Sequence, residues 1–250
     1  ERIAPTGSAV GVFVLGDPIL QIPDDGAGPE LLSERGFLLG PHDRPTVNAP
    51  TGETHALGIV TTMVGCAAVF GVPPASLRGR AVDLEASWEA SRAIRERLGG
   101  LHDPEAMLDR VSEGVQQQLG PADPGLRRCA RAVALLEADP LRSIADVARV
   151  LGISHGHLDR EFTRVVGQSP RSLARLLRLR RLLAVIDVRR AVPWPELALR
   201  FGWFDQAHLI RDFKRHTGVT PTAYVRAQRV AFGPSGPGEG AGFAPDVDTP

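Results

Sequence analysis

A pattern of apolar and polar positions occurs twice in the C-terminal half of the chain and predicts the same pair of helices each time. Apolar residues recur at helical spacing before Gly152 and again after it, and the same layout surrounds Gly202. The second copy has one extra residue, Phe204, in its turn. The matched positions of the first copy are Val147, Ala148, Leu151, Gly152, Ile153, Ser154, Leu158, Arg160, Phe162, Gly167, Ser169, Pro170 and Leu173, and those of the second are Leu197, Ala198, Phe201, Gly202, Trp203, Asp205, Leu209, Arg211, Phe213, Gly218, Thr220, Pro221 and Tyr224. Two matching units indicate an internal repeat.

Each unit is predicted to consist of a helix, a glycine turn and a second helix. Ser143 and Ser154 are suited to cap the two helices of the first unit, and Asp205 is suited to cap the second helix of the second unit. The second helix of each unit buries one apolar stripe and leaves a polar, partly cationic face outward. This is the helix-turn-helix layout, in which the second helix enters the major groove of DNA. A single copy is also compatible with a helical hairpin that packs in a protein core and does not contact DNA. Two copies with matched arginines favour DNA binding.

The segment between the units predicts a long connecting helix. It begins at Ser169-Pro170 and is expected to reach about Val188, before Pro193 and Pro195 interrupt it. Roughly eighteen residues at ~1.5 Å each span ~27 Å. Two recognition helices held that far apart can enter successive major grooves, which are ~34 Å apart on one side of a duplex.

Charge is distributed unevenly along a chain whose formal net charge is zero. Residues 127–229 contain twenty Lys or Arg against nine Asp or Glu, whereas residues 1–125 contain nine against seventeen. A basic half is expected of a phosphate-binding domain, although a merely solvated basic surface has the same composition. Nearly all the cations are arginine, which suits bidentate contacts to phosphate or guanine.

Residues 128–230 resemble the DNA-binding domain of the AraC/XylS family of bacterial transcriptional regulators. The second unit carries most of the family motif, at Ala198, Gly202, Asp205, Gln206, Leu209, Arg211, Phe213, Lys214, Gly218, Thr220, Pro221 and Tyr224. The first unit departs from it, with Leu173 where the family usually has an aromatic residue and Gly156 where a larger groove-facing side chain often lies. The resemblance implies base contacts by His155, Gly156, Asp159, Arg160, Gln206, Ala207, Ile210 and Arg211. We expect Arg164, Lys214 and Arg215 to be further DNA-binding residues, with Arg215 facing phosphate.

The chemistry of these side chains fits direct readout of bases. Arg160 and Arg211 can each form two hydrogen bonds to guanine, and Gln206 can pair with adenine. Ala207 or Ile210 can contact a thymine methyl group. Asp159 can accept a hydrogen bond from cytosine or can orient Arg160.

The N-terminal part is predicted to be a small β-rich domain. Residues 8–22 and 55–70 are apolar, β-branched runs interrupted by Gly and Pro, and helices are predicted over Glu85–Leu98 and Pro104–Leu119. Residues 5–90 resemble the cupin-like sensory domain that precedes some AraC-type domains. The expected fold is α+β, with a β-rich cupin-like domain and its flanking helices at 1–122, an all-α domain of two helix-turn-helix motifs joined by a long helix at 123–230, and a disordered tail at 231–250.

The sequence offers little support for an enzyme or a metal protein. Cys66 and Cys129 are the only cysteines and have no zinc spacing, while His42 and His55 lack the clustered ligands of a cupin metal site. We therefore expect no cofactor, no metal, no catalytic residues and no membrane span, in a cytoplasmic protein. The expected partner is double-stranded DNA, and the N-terminal domain is expected to bind a small organic effector or to serve as a homodimer contact. The resemblance implies activation through RNA polymerase, and the residues themselves equally allow repression. The alternative is a small-molecule-binding protein or an enzyme whose basic domain docks on RNA or a protein partner.

Overall fold

The computed structural model describes residues 2–22, 28–121, 123–232 and 243–244. It confirms the expected α+β fold, with a β-rich N-terminal domain followed by an all-helical C-terminal domain. The strands are β1 Arg2–Ile3, β2 Val10–Val14, β3 Ile19–Ile22, β4 Glu30–Ser33, β5 Gly36–Leu39, β6 Thr46–Pro50, β7 Ala56–Val60, β8 Ala81–Asp83 and β9 Phe243–Ala244. The helices are α1 Cys66–Phe70, α2 Leu84–Ser87, α3 Ala90–Leu98, α4 Pro104–Gln118, α5 Pro124–Ala138, α6 Ile144–Val150, α7 His155–Val166, α8 Pro170–Val185, α9 Trp194–Arg200, α10 Gln206–Thr217 and α11 Pro221–Phe232, with a 3-10 turn at Pro74–Leu77.

The strands form two antiparallel sheets whose inner faces meet. One sheet has the order β4-β3-β6-β1-β9 and the other the order β7-β2-β5-β8. Side chains alternate between the two faces of the second sheet. Phe37 and Leu39 of β5 pack toward the first sheet with Ile19, whereas Leu38 and Phe13 pack on the other face against the helices. The second sheet is therefore covered on both faces.

The N-terminal domain differs from the sequence prediction in two places. Residues 55–70 were expected to form β structure, and this expectation is wrong for the last five residues, because Cys66–Phe70 forms helix α1. The single helix expected over Glu85–Leu98 is divided into α2 and α3 at Trp88, whose backbone is extended. Trp88 is 3% exposed, and its ring centre lies 5.3 Å from that of Phe70. The free energy gained by burying the indole is therefore larger than that lost by interrupting the helix. Helix α4 agrees with its prediction to within one residue.

The C-terminal domain contains two units of three helices. Helices α5, α6 and α7 form the first, α8, α9 and α10 form the second, and α11 packs beside α10. The predicted caps are confirmed, since Ser154 Oγ accepts a hydrogen bond from the His157 amide and Asp205 Oδ1 accepts one from His208. Both turns pass through a glycine with positive φ, +69° at Gly152 and +78° at Gly202. Residues with a Cβ rarely adopt that conformation, which explains the glycine in each repeat.

Each unit has its own apolar core. Phe162 and Leu158 of α7 are fully buried in the first core, and Phe213 and Leu209 of α10 occupy the matching places in the second. The connecting helix α8 contributes Leu173 and Leu177 to the first core and Leu179 and Leu182 to the second. It ends at Val185, about three residues earlier than expected, and its sixteen residues span ~24 Å. The helix joins the two units through continuous packing.

The ends of the C-terminal domain were expected at residues 123 and 230. Helix α4 ends at Gln118 and α5 begins at Pro124, while α11 continues to Phe232. Within the tail that was expected to be disordered, Phe243 and Ala244 pair with Ile3 and Arg2 as strand β9 at the edge of the first sheet. The remainder of that tail, 233–242 and 245–250, lies outside the described residues.

The N-terminal domain contacts both units of the C-terminal domain. Met63 is buried in the core of the first unit, and the 3-10 turn at Pro74 packs against α7. At the second unit, Asp43 Oδ2 lies 2.6 Å from Arg215 Nη2, and the backbone carbonyl of Asp43 lies 2.7 Å from His216 Nδ1. We call this pair of interactions with α10 the Asp43 contact.

Candidate nucleic-acid interface

The last helices of the two units, α7 and α10, are the predicted recognition helices and present the residues that the sequence analysis assigned to DNA. Helix α7 begins directly after its Ser154 cap, so its first turn is open to solvent. Helix α10 begins in the same way after Asp205. Seven of the assigned residues are exposed on these two helices, namely His155, Gly156, Asp159, Arg160, Gln206, Ala207 and Arg211, and Lys214 is exposed further along α10.

Three of the residues that were predicted to bind DNA make contacts within the protein that the sequence did not indicate. Ile210 is half-buried and packs against the core of the second unit. Arg164 is exposed at the C-terminal end of α7, close to Gly125 at the start of α5. Arg215 donates to Asp43 of the N-terminal domain instead of projecting freely into solvent. The carboxylate of Asp43 therefore occupies one of its donor nitrogens and neutralises part of the charge that Arg215 offers to DNA.

A groove of about 660 Å³ lies between α7 and α10. His155 and Asp159 of α7 line one side, and His208 of α10 lies on the other. Its lining also contains four arginines, Arg142, Arg171, Arg175 and Arg178. Asp159 is the one carboxylate among the described lining residues, so the groove is cationic.

The sequence analysis assigned none of the four groove arginines to DNA, and it treated the connecting helix, which carries three of them, as a spacer. Arg171, Arg175 and Arg178 follow one another at intervals of four and three residues, so they lie on one face of α8. The buried Leu173, Leu176 and Leu177 occupy the opposite face. This spacing of arginines is the sequence signal that could have identified the groove.

The sequence analysis also gave no function to Phe204, which is 86% exposed in the turn before α10.

A buried carboxylate fixes each recognition helix to the first helix of its unit. In the first unit, Arg128 of α5 donates two hydrogen bonds to Glu161 of α7, at 2.6 and 2.9 Å, and they lower the pKa of the Glu161 carboxyl. The second unit has Asp212 at the equivalent place in the repeat, 3.4 Å from Arg178 of α8. Each of these acids comes directly before a buried phenylalanine, Glu161 before Phe162 and Asp212 before Phe213. The sequence analysis did not identify these pairs.

The pair in the second unit is part of a larger polar network. The indole Nε1 of Trp203 donates to Asp212 Oδ2 at 2.9 Å, and Arg178 donates to the carbonyl of Gly202 at 2.8 Å. The guanidinium carbon of Arg178 lies 4.6 Å from the centre of a Trp203 ring. Arg178 therefore joins the connecting helix, the glycine turn and the recognition helix.

The cysteines and histidines considered in the sequence analysis lie apart from this interface. Burial raises the pKa of the Cys66 thiol to about 11 and that of Cys129 to about 12, so neither is a ready nucleophile at neutral pH. His42 is buried, whereas His55 is exposed beside Glu53. In the part of the chain that the structure describes, His, Cys, Asp and Glu nowhere form a group of three or more that could hold a metal ion.

Comparison with known protein families identifies the helical domain. A family model described as a helix-turn-helix domain matches residues 147–227, from within α6 to within α11, and so includes both glycine turns and both of the helices α7 and α10. The C-terminal domain is an AraC-type helix-turn-helix domain. The chain is accordingly a DNA-binding transcription regulator, which confirms the prediction from the repeat. No described helix is long and apolar enough to cross a membrane.

Several solved structures are similar to this chain. A transcriptional regulator of Chromobacterium violaceum with an AraC-type DNA-binding domain is 27% identical, with a TM-score of 0.38, over 43% of this chain and 96% of that one. ToxT from Vibrio cholerae is 11% identical, with a TM-score of 0.46, over 90% of this chain and 92% of that one. A ToxT structure with a bound unsaturated fatty acid is 12% identical, with a TM-score of 0.46, over 90% of each chain. A comparison with curated proteins gives no match.

Proposed function

We propose that the protein recognises a specific DNA sequence by placing α7 and α10 in two successive major grooves. The observation that carries the proposal is the cationic groove between two recognition helices with exposed polar faces. Successive major grooves are separated by a minor groove flanked by phosphates. Arg171 and Arg175 on α8 lie where cations are needed to contact the phosphates between two half-sites.

Within this proposal the side chains have distinct tasks. Arg211, Arg160 and Gln206 read guanine and adenine, and Ala207 contacts a thymine methyl group. The half-burial of Ile210 restricts it to a short apolar contact with a base. Lys214, Arg171 and Arg175 contact phosphate, and they add affinity for any sequence.

The proposed function also includes a domain boundary, an effector and two protein contacts. We place the boundary between a sensing or dimerising domain and the DNA-binding domain at residues 119–123, between α4 and α5. The protein is a cytoplasmic, non-enzymatic regulator, and an organic effector acts through the N-terminal domain. Activation proceeds by contact with RNA polymerase when the C-terminal domain is bound beside a promoter, and a homodimer forms through the N-terminal domain.

Selection of binding sites from random duplex DNA, followed by gel-shift assays with the full chain, tests this proposal. The selected sites should contain two half-sites about one helical turn apart, and binding should survive excess nonspecific duplex and excess RNA. Inserting about five base pairs, half a helical turn, between the half-sites should abolish specific binding because the second half-site moves to the opposite side of the duplex. A single half-site, or preference for RNA, would contradict the proposal.

The groove arginines give a separate prediction. Arg175→Ala should weaken binding to all duplexes alike, and it should reduce the slope of log affinity against log salt by about 1, since one phosphate contact is lost. Arg180→Ala is the matched control, because Arg180 is exposed on the same helix but outside the groove. Fluorescence anisotropy across a salt series measures both slopes. Equal slopes for the two variants would show that the groove does not face DNA.

A further inference from the structure

The N-terminal domain contains a cavity of about 450 Å³ beside the Asp43 contact. This volume is typical of sites for small organic molecules. Ile22, Leu39 and Pro45 provide apolar walls. The other lining residues are Gln21, His42, Asp43, Arg44, Thr46, Arg78 and Gly79. The cavity therefore combines apolar surface with a small set of polar groups.

One lining residue, His42, has an unpaired buried nitrogen. His42 is 7% exposed, and its Nδ1 lies 3.0 Å from the carbonyl oxygen of Gly40. Because a carbonyl oxygen can only accept, Nδ1 carries the hydrogen. Burial lowers the pKa of His42, so the ring is neutral and Nε2 presents a lone pair. Nε2 has no hydrogen-bond partner among the described residues, and buried acceptors normally have one.

The charged groups of the lining leave an excess of positive charge. Arg44 and Arg78 are exposed and form no hydrogen bond or ion pair with a described residue. The carboxylate of Asp43 already accepts a hydrogen bond from Arg215 of α10. Burial would raise the pKa of Asp43, but the hydrogen bond from Arg215 and the charges of Arg215, Arg78 and His216 outweigh it, so the pKa is lowered. The two unpaired guanidinium groups therefore favour a carboxylate ligand.

We propose that this cavity binds a small organic acid that also carries a hydroxyl group. The carboxylate pairs with Arg78 and Arg44, the hydroxyl donates to Nε2 of His42, and the carbon chain packs on Ile22 and Leu39. This inference rests on the effector part of the proposed function and names its site and ligand class.

The location of the cavity connects ligand binding to α10. Asp43 lies in the cavity wall and also binds Arg215 and His216, so the same loop contacts the ligand and the recognition helix. Asp43 and Arg78 line the same cavity, so a carboxylate held by Arg78 lies near the Asp43 carboxylate and repels it. Ligand binding therefore changes the Asp43 contact, and DNA affinity changes with it, since coupling between two sites is reciprocal.

Calorimetric titration of the full chain with a matched series of ligands tests the proposal. The series is 3-hydroxybutanoate to 3-hydroxyoctanoate, with the unsubstituted acids and the methyl esters of the hydroxy acids as controls. At least one hydroxy acid should bind with one site per chain, and the corresponding unsubstituted acid should bind about tenfold more weakly. The methyl ester should also bind more weakly, because it lacks the charge that pairs with the guanidinium groups.

Three variants test which side chains bind the hydroxyl group and the carboxylate of the ligand. His42→Phe should reduce the affinity for the hydroxy acid to that of the unsubstituted acid, and Arg78→Gln, at an exposed position, should reduce the preference for acid over ester, since only Arg44 then pairs with the carboxylate. His55→Phe is the matched control outside the cavity and should bind like the wild type. The proposal is overturned if no acid in the series binds, or if both His42→Phe and Arg78→Gln, with unchanged melting temperatures, bind as the wild type does.

Gel-shift assays separate this inference from the proposed function. A chain that binds its selected DNA but no hydroxy acid would overturn the cavity proposal and leave DNA recognition intact. A chain that binds the acid but no specific DNA would overturn DNA recognition alone. If the acid binds but DNA affinity is the same with and without it, the connection through the Asp43 contact is wrong.

Discussion

Asp212→Ala is expected to lower the free energy of unfolding by about 3–5 kcal/mol, the usual cost of removing one partner from a buried ion pair. The side chains of Arg178 and Asp212 are only 13% and 12% exposed, so the guanidinium would remain buried without its carboxylate. The indole Nε1 of Trp203 would also lose its acceptor. Equilibrium urea unfolding of the full chain measures the change.

Two other acids provide matched comparisons for this substitution. Glu161→Ala, at the equivalent place in the first unit, should cost less, because its partner Arg128 is 36% exposed and can be hydrated after the change. Asp159→Ala, at an exposed position on α7 with no ion pair to a described residue, should change stability by less than about 0.5 kcal/mol. The double variant Asp212→Ala with Arg178→Met should recover part of the loss, since no buried charge is then left unpaired. A cost for Asp212→Ala no greater than that for Asp159→Ala would show that the network does not stabilise the second unit.

Arg211→Ala is expected to cost about 1–3 kcal/mol in binding to the specific site, roughly five- to 150-fold in affinity, and to relax the preference at one base position. Arg211 is exposed on α10 between the buried Leu209 and Phe213, so its removal should leave the melting temperature nearly unchanged. Binding-site selection with the variant measures the preference directly. Unchanged preference in a stable Arg211→Ala protein would show that this side chain does not read a base.

The corresponding change in the first unit, Arg160→Ala, should have a smaller effect on base preference. Gly156 leaves one exposed position in the first turn of α7 without a side chain, and a Cβ placed there would meet only Arg160 Nη1, at 3.5 Å. Lys214→Ala is the control for a phosphate contact and should weaken all sequences alike. Arg215 is unsuitable as that control, because its substitution also removes the bond to Asp43.

The sequence by itself determined the architecture of the C-terminal domain. The helices of the two helix-turn-helix motifs, the connecting helix, their caps and their glycine turns depend on residues close together in the chain, so the period of 3.6 residues and the capping side chains were sufficient to predict them. Helices α5 and α11 were not predicted from the sequence. The repeat added a second, independent copy of each signal. The sequence also determined which face of α7 and α10 is polar, and so which residues are offered to DNA.

The tertiary structure alone decided how these elements are held together and which charges are free. The pairs of Glu161 with Arg128 and of Asp212 with Arg178 join residues that are 33 and 34 positions apart, and local patterns contain no information about such distances. The same limit applies to Arg215, whose partner Asp43 is 172 positions away. In the N-terminal domain, packing of Trp88 overrode a local helical pattern, and strands such as β5 and β6 were missed because antiparallel pairing depends on distant partners. Local chemistry therefore fixed the helices and their exposed faces, whereas long-range packing decided their mutual arrangement and the position of the cavity beside α10.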